Sequence, residues 1–169
     1  MSTKKIAVIS VLTAISILLN VYTVLLKNFA VSFAYIPPFL AGALLGPFSG
    51  LAVGLVGDIM GWVINPLGPF NPFIAVSSGL LGFIPGMVFK FSRFNDYLKI
   101  FMSFILIFII CTTTLNTVGL WLMYGGGRTF LAYLAVRLPL QAPVWAINLV
   151  IVAIVFKPVR MLENRLSFR

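Results

Sequence analysis

Six apolar segments, separated by Gly, Pro and charge, fill this chain almost from end to end. Crossing the hydrocarbon core of a bilayer, about 30 Å, takes roughly 20 such residues. Inside that core every backbone N–H and C=O must be satisfied within the protein, so a chain of this kind folds as a bundle of helices or as a closed barrel. The segments run long and continuously apolar, without the alternation of barrel strands, and therefore predict helices. They cover about Lys5–Leu25, a second beginning near Ile36, about Ser49–Ile64, Ile74–Phe91, Ile100–Tyr124 and Phe130–Phe156. The second and third look short and are divided by Gly46-Pro47. The loop NPLGPFNP, residues 65–72, carries three prolines and excludes regular helix. Gly82, Pro85 and Gly86 predict a kink in the fourth segment. The run after Lys4 and Lys5 stays apolar to about Leu26 with no small-residue cleavage pattern, so it reads as the first membrane helix and not as a signal peptide.

Composition agrees. Of 169 residues, 61% are hydrophobic and 9% charged, and the mean hydropathy is +1.11, well beyond what a soluble core needs. The expected fold is an all-α integral membrane protein, a single domain over residues 1–169, with multiple passes through the cell membrane. Twelve Lys and Arg oppose three Asp and Glu. In a soluble domain that balance suggests nucleic acid; in a membrane protein it records orientation, because cations are retained on the cytoplasmic side. Nine of the 12 lie at the termini or between segments four and five, leaving Lys27, Arg128 and Arg137 elsewhere. With six crossings, both termini are expected in the cytoplasm. One cysteine, Cys111, excludes an internal disulfide, and the absence of histidine removes the commonest metal ligand. There is no GxxxxGK[ST] phosphate loop, no acidic cluster for Mg²⁺ and no Ser/His arrangement, so no enzyme activity, cofactor or ATP hydrolysis is expected of this chain.

Against this background three polar residues stand out at membrane depth. At about 1.5 Å per residue, Asp58 lies roughly 9 Å below the outer end of its segment, Asn116 roughly 12 Å and Arg137 about 10 Å. Ionisable groups there are costly and face a cavity or one another. Two readings are open: an Asp58–Arg137 ion pair that fixes helix register, or a polar cavity opening outward. Gln141 and Trp145 follow Arg137 at helical spacing; Trp121 lies one turn and a half beyond Asn116; Tyr35, Phe70 and Asn71 occupy the outer loops. Few polar groups among stacking surfaces is the composition of a pocket for a small planar ligand. Gly46, Gly50, Gly54 and Asp58 form a four-residue row and Gly57 and Gly61 a second, a spacing that brings helix backbones close. Ala7, Ser10 and Ala14 make a small-residue stripe on the first segment, open to lipid or to another membrane protein.

The runs IPPFLAGALLGPFSGLAVGLVGDIMGW, NPLGPFNPF, TLNTVGLWLMYGG and FLAYLAVRLP resemble S components, the substrate-binding membrane subunits of energy-coupling factor (ECF) vitamin transporters, most closely the folate-specific ones. The resemblance covers essentially the whole chain. It implies capture of a vitamin, folate first, with import driven by a separate module of one transmembrane coupling subunit and two ATPases. It implies that the coupling subunit meets the first helix at a small-residue motif, matched by SVLTA with Ser10 and Ala14 and with Ala7 one turn before. Delivery would proceed by toppling of the whole subunit, with loops 27–35 and 65–73 closing as a lid. For a folate, Asp58 and Asn116 would meet the amino-pterin edge, Arg137 and Gln141 a carboxylate or the pterin carbonyl, and Trp121, Trp145, Tyr35 and Phe70 would stack. Alternatives are an S component for riboflavin, thiamine or a deazaguanine precursor of queuosine, a stand-alone ion-coupled carrier working through Asp58, and a membrane subunit with no ligand.

Overall fold

A computed structural model of the chain describes residues 3–22, 24–26, 29–66, 68–127 and 129–166, and the side chains of 3–22, 32–66, 68–127 and 129–161. Lys27, Asn28 and Arg128, with the side chains of Arg165 and Arg169, lie outside the described set, so part of the expected lid 27–35 does too. The order is helix α1 (Thr3–Val21), strands β1 (Val24–Leu26) and β2 (Phe29–Val31), then α2 (Ile36–Leu45), α3 (Pro47–Ile64), α4 (Pro72–Phe91), α5 (Asp96–Tyr124) and α6 (Phe130–Leu166).

Proline and glycine set the helix starts. Pro37, Pro47 and Pro72 each sit in a first turn, where a missing N–H is no loss. Asn71 caps α4, its Oδ1 accepting from the Phe73 amide at 3.0 Å. Between α2 and α3 the chain turns on Gly46 at φ +102°, a conformation that a side chain would strain. The Gly46-Pro47 division predicted from sequence is therefore a real break.

Two expectations need correction. Among the described residues five helices, not six, are long and apolar enough to cross a membrane: α1, α3, α4, α5 and α6. α2 has 10 residues, about 15 Å of helix, half of a span. Its residues 37–42 are all buried, so protein, not lipid, surrounds it, and the rule that irregular backbone at depth must be enclosed is met. The second correction is at the end of segment one: Val24 and Leu25, expected in its helix, belong to β1, which pairs antiparallel with β2 in the register Val24↔Val31. In α4, Pro85 lies within one continuous helix, and so do Pro139, Pro143 and Pro158 in α6.

Glycine determines which helices touch. A methyl group on Gly50 would strike Gly82 of α4, one on Gly54 the Ser78 carbonyl, and one on Gly42 of α2 again Gly82. α2, α3 and α4 thus meet backbone to backbone. The second row faces the other way: Gly57 receives Ser16 of α1 and Gly61 receives Asn20. Since lipid is as apolar as leucine, close van der Waals packing of this kind holds membrane helices together. A second cluster joins α2 to α5 and α6 through Phe39, Phe104, Ile107, Val152 and Phe156, with Phe39 and Phe104 rings 5.0 Å apart. Val11, Leu18, Val63, Ile109, Leu131 and Ile154 point outward and are exposed, as suits contact with hydrocarbon. Near the far end Arg160 of α6 pairs with Asp96 at the start of α5.

Candidate ligand-binding site

A cavity of about 150 Å³ opens where α1, α3, α4 and α5 meet the chain entering α2. Ser16 and Asn20 line it from α1, Asp58 and Gly54 from α3, Ser78, Ile74 and Leu81 from α4, and Asn116 from α5. Ser32, Ala34, Tyr35 and Pro38 close it on the side of the hairpin and α2.

The acid is positioned by the glycine row that precedes it. Gly54 lets α4 approach until the Ser78 carbonyl lies where a Cβ would be. One turn on, the same approach brings Ser78 Oγ within 3.0 Å of Asp58 Oδ1, to which it donates. Small residues thus do more than pack: they deliver a donor to a carboxylate that would otherwise stand alone.

Asn116 is positioned differently. It ends a π-helical stretch, Phe108–Asn116, inside α5, a widened turn frequent at functional sites. Thr114 donates to the carbonyl of Ile109 at 3.0 Å and Thr117 to that of Thr112 at 2.8 Å, each reaching five residues back. Arg137 of α6 donates through Nη1 to the main-chain oxygen of Asn116 at 3.1 Å. The Asn116 Oδ1 atom is buried with no protein partner. Two acceptors, a carboxylate and an amide oxygen, therefore share one hollow.

Of the other residues singled out in the sequence, Tyr35 lines the cavity with Asp58 and Asn116, and Arg137 stands behind Asn116 through the bond just described. Among the described residues, Asp58 and Arg137 form no ion pair; the salt bridge is that of Arg160 with Asp96. Trp145 donates to the Phe104 carbonyl at 3.0 Å and lies between the Phe104 and Phe108 rings at 5.6 and 5.5 Å. Trp121 meets Phe130 at 5.9 Å and Phe70 meets Trp62 at 5.2 Å. Asn71 is buried in its capping role, with Nδ2 3.4 Å from Met123 Sδ. Gln141 is half-buried one turn beyond Arg137 on α6, and Ala7, Ser10 and Ala14 are exposed on α1. Sequence reading passed over Ser16, Asn20, Ser32, Pro38 and Ser78. A signal existed for two of them: Ser16 and Asn20 are four apart on an apolar helix, opposite Gly57 and Gly61 at the same spacing.

A hydroxyl-paired carboxylate and an unpartnered amide oxygen leave acceptor capacity for hydrogen-bond donors. A cavity of about 150 Å³ is of the size that takes up one aromatic ring in a protein interior.

Known proteins share this architecture. The chain superposes on a crystal structure of FolT bound with folic acid with a TM-score of 0.79, at 23% identity, covering 93% of this chain and 95% of that one. It superposes on the S component of a bacterial ECF transporter with a TM-score of 0.72, at 22% identity and 99% coverage of both. In sequence it is 26% identical over 133 residues to the folate transporter FolT of Clostridium novyi (strain NT), which is 79% of this chain and 76% of that protein. Residues 4–156 match the family described as ECF transporter, substrate-specific component. Fold, length and the match over nine-tenths of the sequence agree, and the chain belongs to the substrate-specific components of ECF transporters.

Proposed function

We propose that this protein is the membrane receptor for a folate, captured from outside the cell and handed to an ATP-driven module for import. The observation that carries the reading is the pair of acceptors in one cavity, Asp58 anchored by Ser78 and Asn116 Oδ1 without a protein partner. A pterin presents an amino group beside a ring N–H, two donors on one edge. A carboxylate accepting from such donors makes charge-assisted bonds of about twice ordinary strength. Tyr35 flanks the ring, and Arg137, bonded to the Asn116 main chain, holds that residue in place and offers its remaining N–H groups to the pterin carbonyl or a carboxylate, with Gln141 one turn away. Trp121, Phe70 and Asn71 would frame the outer end of the path along which the aminobenzoyl-glutamate tail lies, whereas Trp145 sits deeper, packed between Phe104 and Phe108. The likeness to proteins named for folate supports the same choice.

In this reading the short buried α2 returns the chain across the membrane between the hairpin and α3, so both termini are cytoplasmic with five full-length spans; the exposed stripe Ala7, Ser10 and Ala14 docks the transmembrane coupling subunit, and two separate ATPases supply the energy that topples the loaded subunit. Labelled folic acid titrated onto the purified protein tests it. Asp58→Ala is expected to weaken binding at least about tenfold, since a hydrogen bond to a charged group contributes about 1.5–3 kcal/mol. Unchanged affinity in both Asp58→Ala and Arg137→Ala rules the site out. Uptake into vesicles that persists without the ATPase module would favour a stand-alone carrier, and displacement of folate by riboflavin, thiamine or a deazaguanine would reassign the vitamin.

A further inference from the structure

Hydroxyls on the helices of this protein are mostly tied back to their own backbone. Ser10 donates to Ile6, Thr13 to Ile9, Ser49 to Leu45 and Ser103 to Lys99, at 2.7–3.3 Å. This is the ordinary way to satisfy a serine or threonine inside an apolar helix. Ser16 departs from it. Its side chain is 1% exposed, its Oγ has no hydrogen-bond partner, and it lines the cavity. Ser77 Oγ is also unpartnered, but Ser77 is not among the cavity residues. An unpartnered buried hydroxyl lowers stability, so groups of this kind call for an explanation in ligand, water or strain.

The surroundings of Ser16 supply one. α3 carries glycine at both points where α1 bears a polar side chain: a methyl group on Gly57 would collide with Ser16, and one on Gly61 would meet the Asn20 side chain. α3 is thus cut away to admit Ser16 and Asn20, which stand at the cavity beside Asp58 and Asn116. Four polar side chains from three helices share the hollow. Asp58 and the unpartnered oxygen of Asn116 can only accept in that position; Ser16 and Asn20 can also donate.

We propose that α1 is a wall of the binding site in its own right: Ser16 Oγ and the Asn20 amide hydrogen-bond the ring system of the ligand, and together they select which ring is accepted. Asp58 and Asn116 read donors on that ring, while Ser16 and Asn20 read its acceptors, the ring nitrogens and carbonyl oxygen of a pterin. The proposal rests on the folate reading above and assigns contacts within it.

The test is equilibrium binding of folic acid to the full chain in lipid nanodiscs, for wild type, Ser16→Ala, Asn20→Ala and Asp58→Ala, with the melting temperature of each ligand-free form measured in parallel. Both α1 variants keep the Cβ that packs on α3. Each is expected to weaken folic acid about three- to tenfold, the range for one hydrogen bond. Ligand-free Ser16→Ala is expected to melt no lower than wild type, because it loses a group that had no partner. Weakened binding by Asp58→Ala with both α1 variants within about twofold of wild type overturns the inference and leaves the folate site standing. Ligand-free Ser16→Ala melting below wild type marks Ser16 as a packing residue and also overturns it. A folded wild type that does not bind folic acid overturns the folate reading and the α1 contacts with it.

Discussion

Asp58 lies beside a serine, with no cation bonded to it among the described residues, and that choice of partner governs what the site can do. An Arg–Asp pair sealed in the bundle would satisfy itself and leave nothing for a ligand. A hydroxyl occupies one carboxylate oxygen through a single bond at 3.0 Å and leaves the remaining acceptor capacity toward the cavity. Ser78→Ala is expected to lower folate affinity by about three- to tenfold, the effect of one neutral donor, and isothermal titration against wild type measures it. Gly54→Val should act more severely. Its side chain would be driven into the Ser78 carbonyl, and overpacking of this kind costs about 1–3 kcal/mol. Thermal unfolding in detergent is expected to show the loss together with weaker binding, because α4 cannot retreat without taking Ser78 from Asp58. At this scale the sequence was partly legible. A lone acid ending a row of glycines is visible in any reading of the chain. Ser78 and Ser16 are not, because a serine in an apolar helix is usually bonded to its own backbone and carries no mark of the exceptions.

Elements account for the rest of the geometry. The π-helical stretch Phe108–Asn116 puts an extra residue into a turn, and winding the same residues as plain α-helix would rotate everything beyond it by about 100°. Deleting Thr113 takes out that extra residue together with the widened turn, so the variant is expected to give circular dichroism close to wild type with Asn116 still facing the cavity and folate binding retained; loss of binding would show that the widened turn itself shapes the site. A second device is Asn148 of α6, 1% exposed, whose Nδ2 donates to the Ser32 carbonyl at 3.1 Å and to Val144 at 2.9 Å. It ties the segment leaving the hairpin to the longest helix. Asn148→Leu should free that segment and raise the dissociation rate of labelled folate several-fold, read by stopped-flow or filter binding, with a smaller change in association. Neither device announces itself in sequence. The widened turn depends on hydroxyls bonding five residues back, and TTTLNT reads equally well as plain helix. The hairpin is two strands of three residues, below the length at which alternation is visible, and the brevity of α2 is hidden because apolar residues continue across Gly46.

For the molecule as a whole, the division of labour among faces is the main result. α1 presents Ser16 and Asn20 to the cavity and Ala7, Ser10 and Ala14 to the outside. In the proposed function one helix thus serves both a ligand and a partner subunit. Ser10→Leu is expected to leave folic acid affinity unchanged while abolishing uptake in cells that carry the complete transporter; retained uptake would remove the docking role. Orientation is open to direct measurement, since Cys111 is fully buried and can be replaced by serine. In that background Asn95→Cys should react with a membrane-impermeant maleimide only in inside-out vesicles, and Thr129→Cys only in right-side-out cells.

The doubled proline at the start of α2 carries one more implication. The first turn of a helix normally offers four amide donors to whatever lies before it. In α2 the Ile36 amide is used by Phe33 and that of Phe39 by Tyr35, while Pro37 and Pro38 have none, and Pro38 forms part of the cavity wall. The electropositive grip that helix beginnings lend to phosphates and carboxylates has been removed at this rim, across from an aspartate. In the proposed function an acidic vitamin is therefore expected to lodge head first, its neutral rings innermost and its negative end left toward the water from which it came.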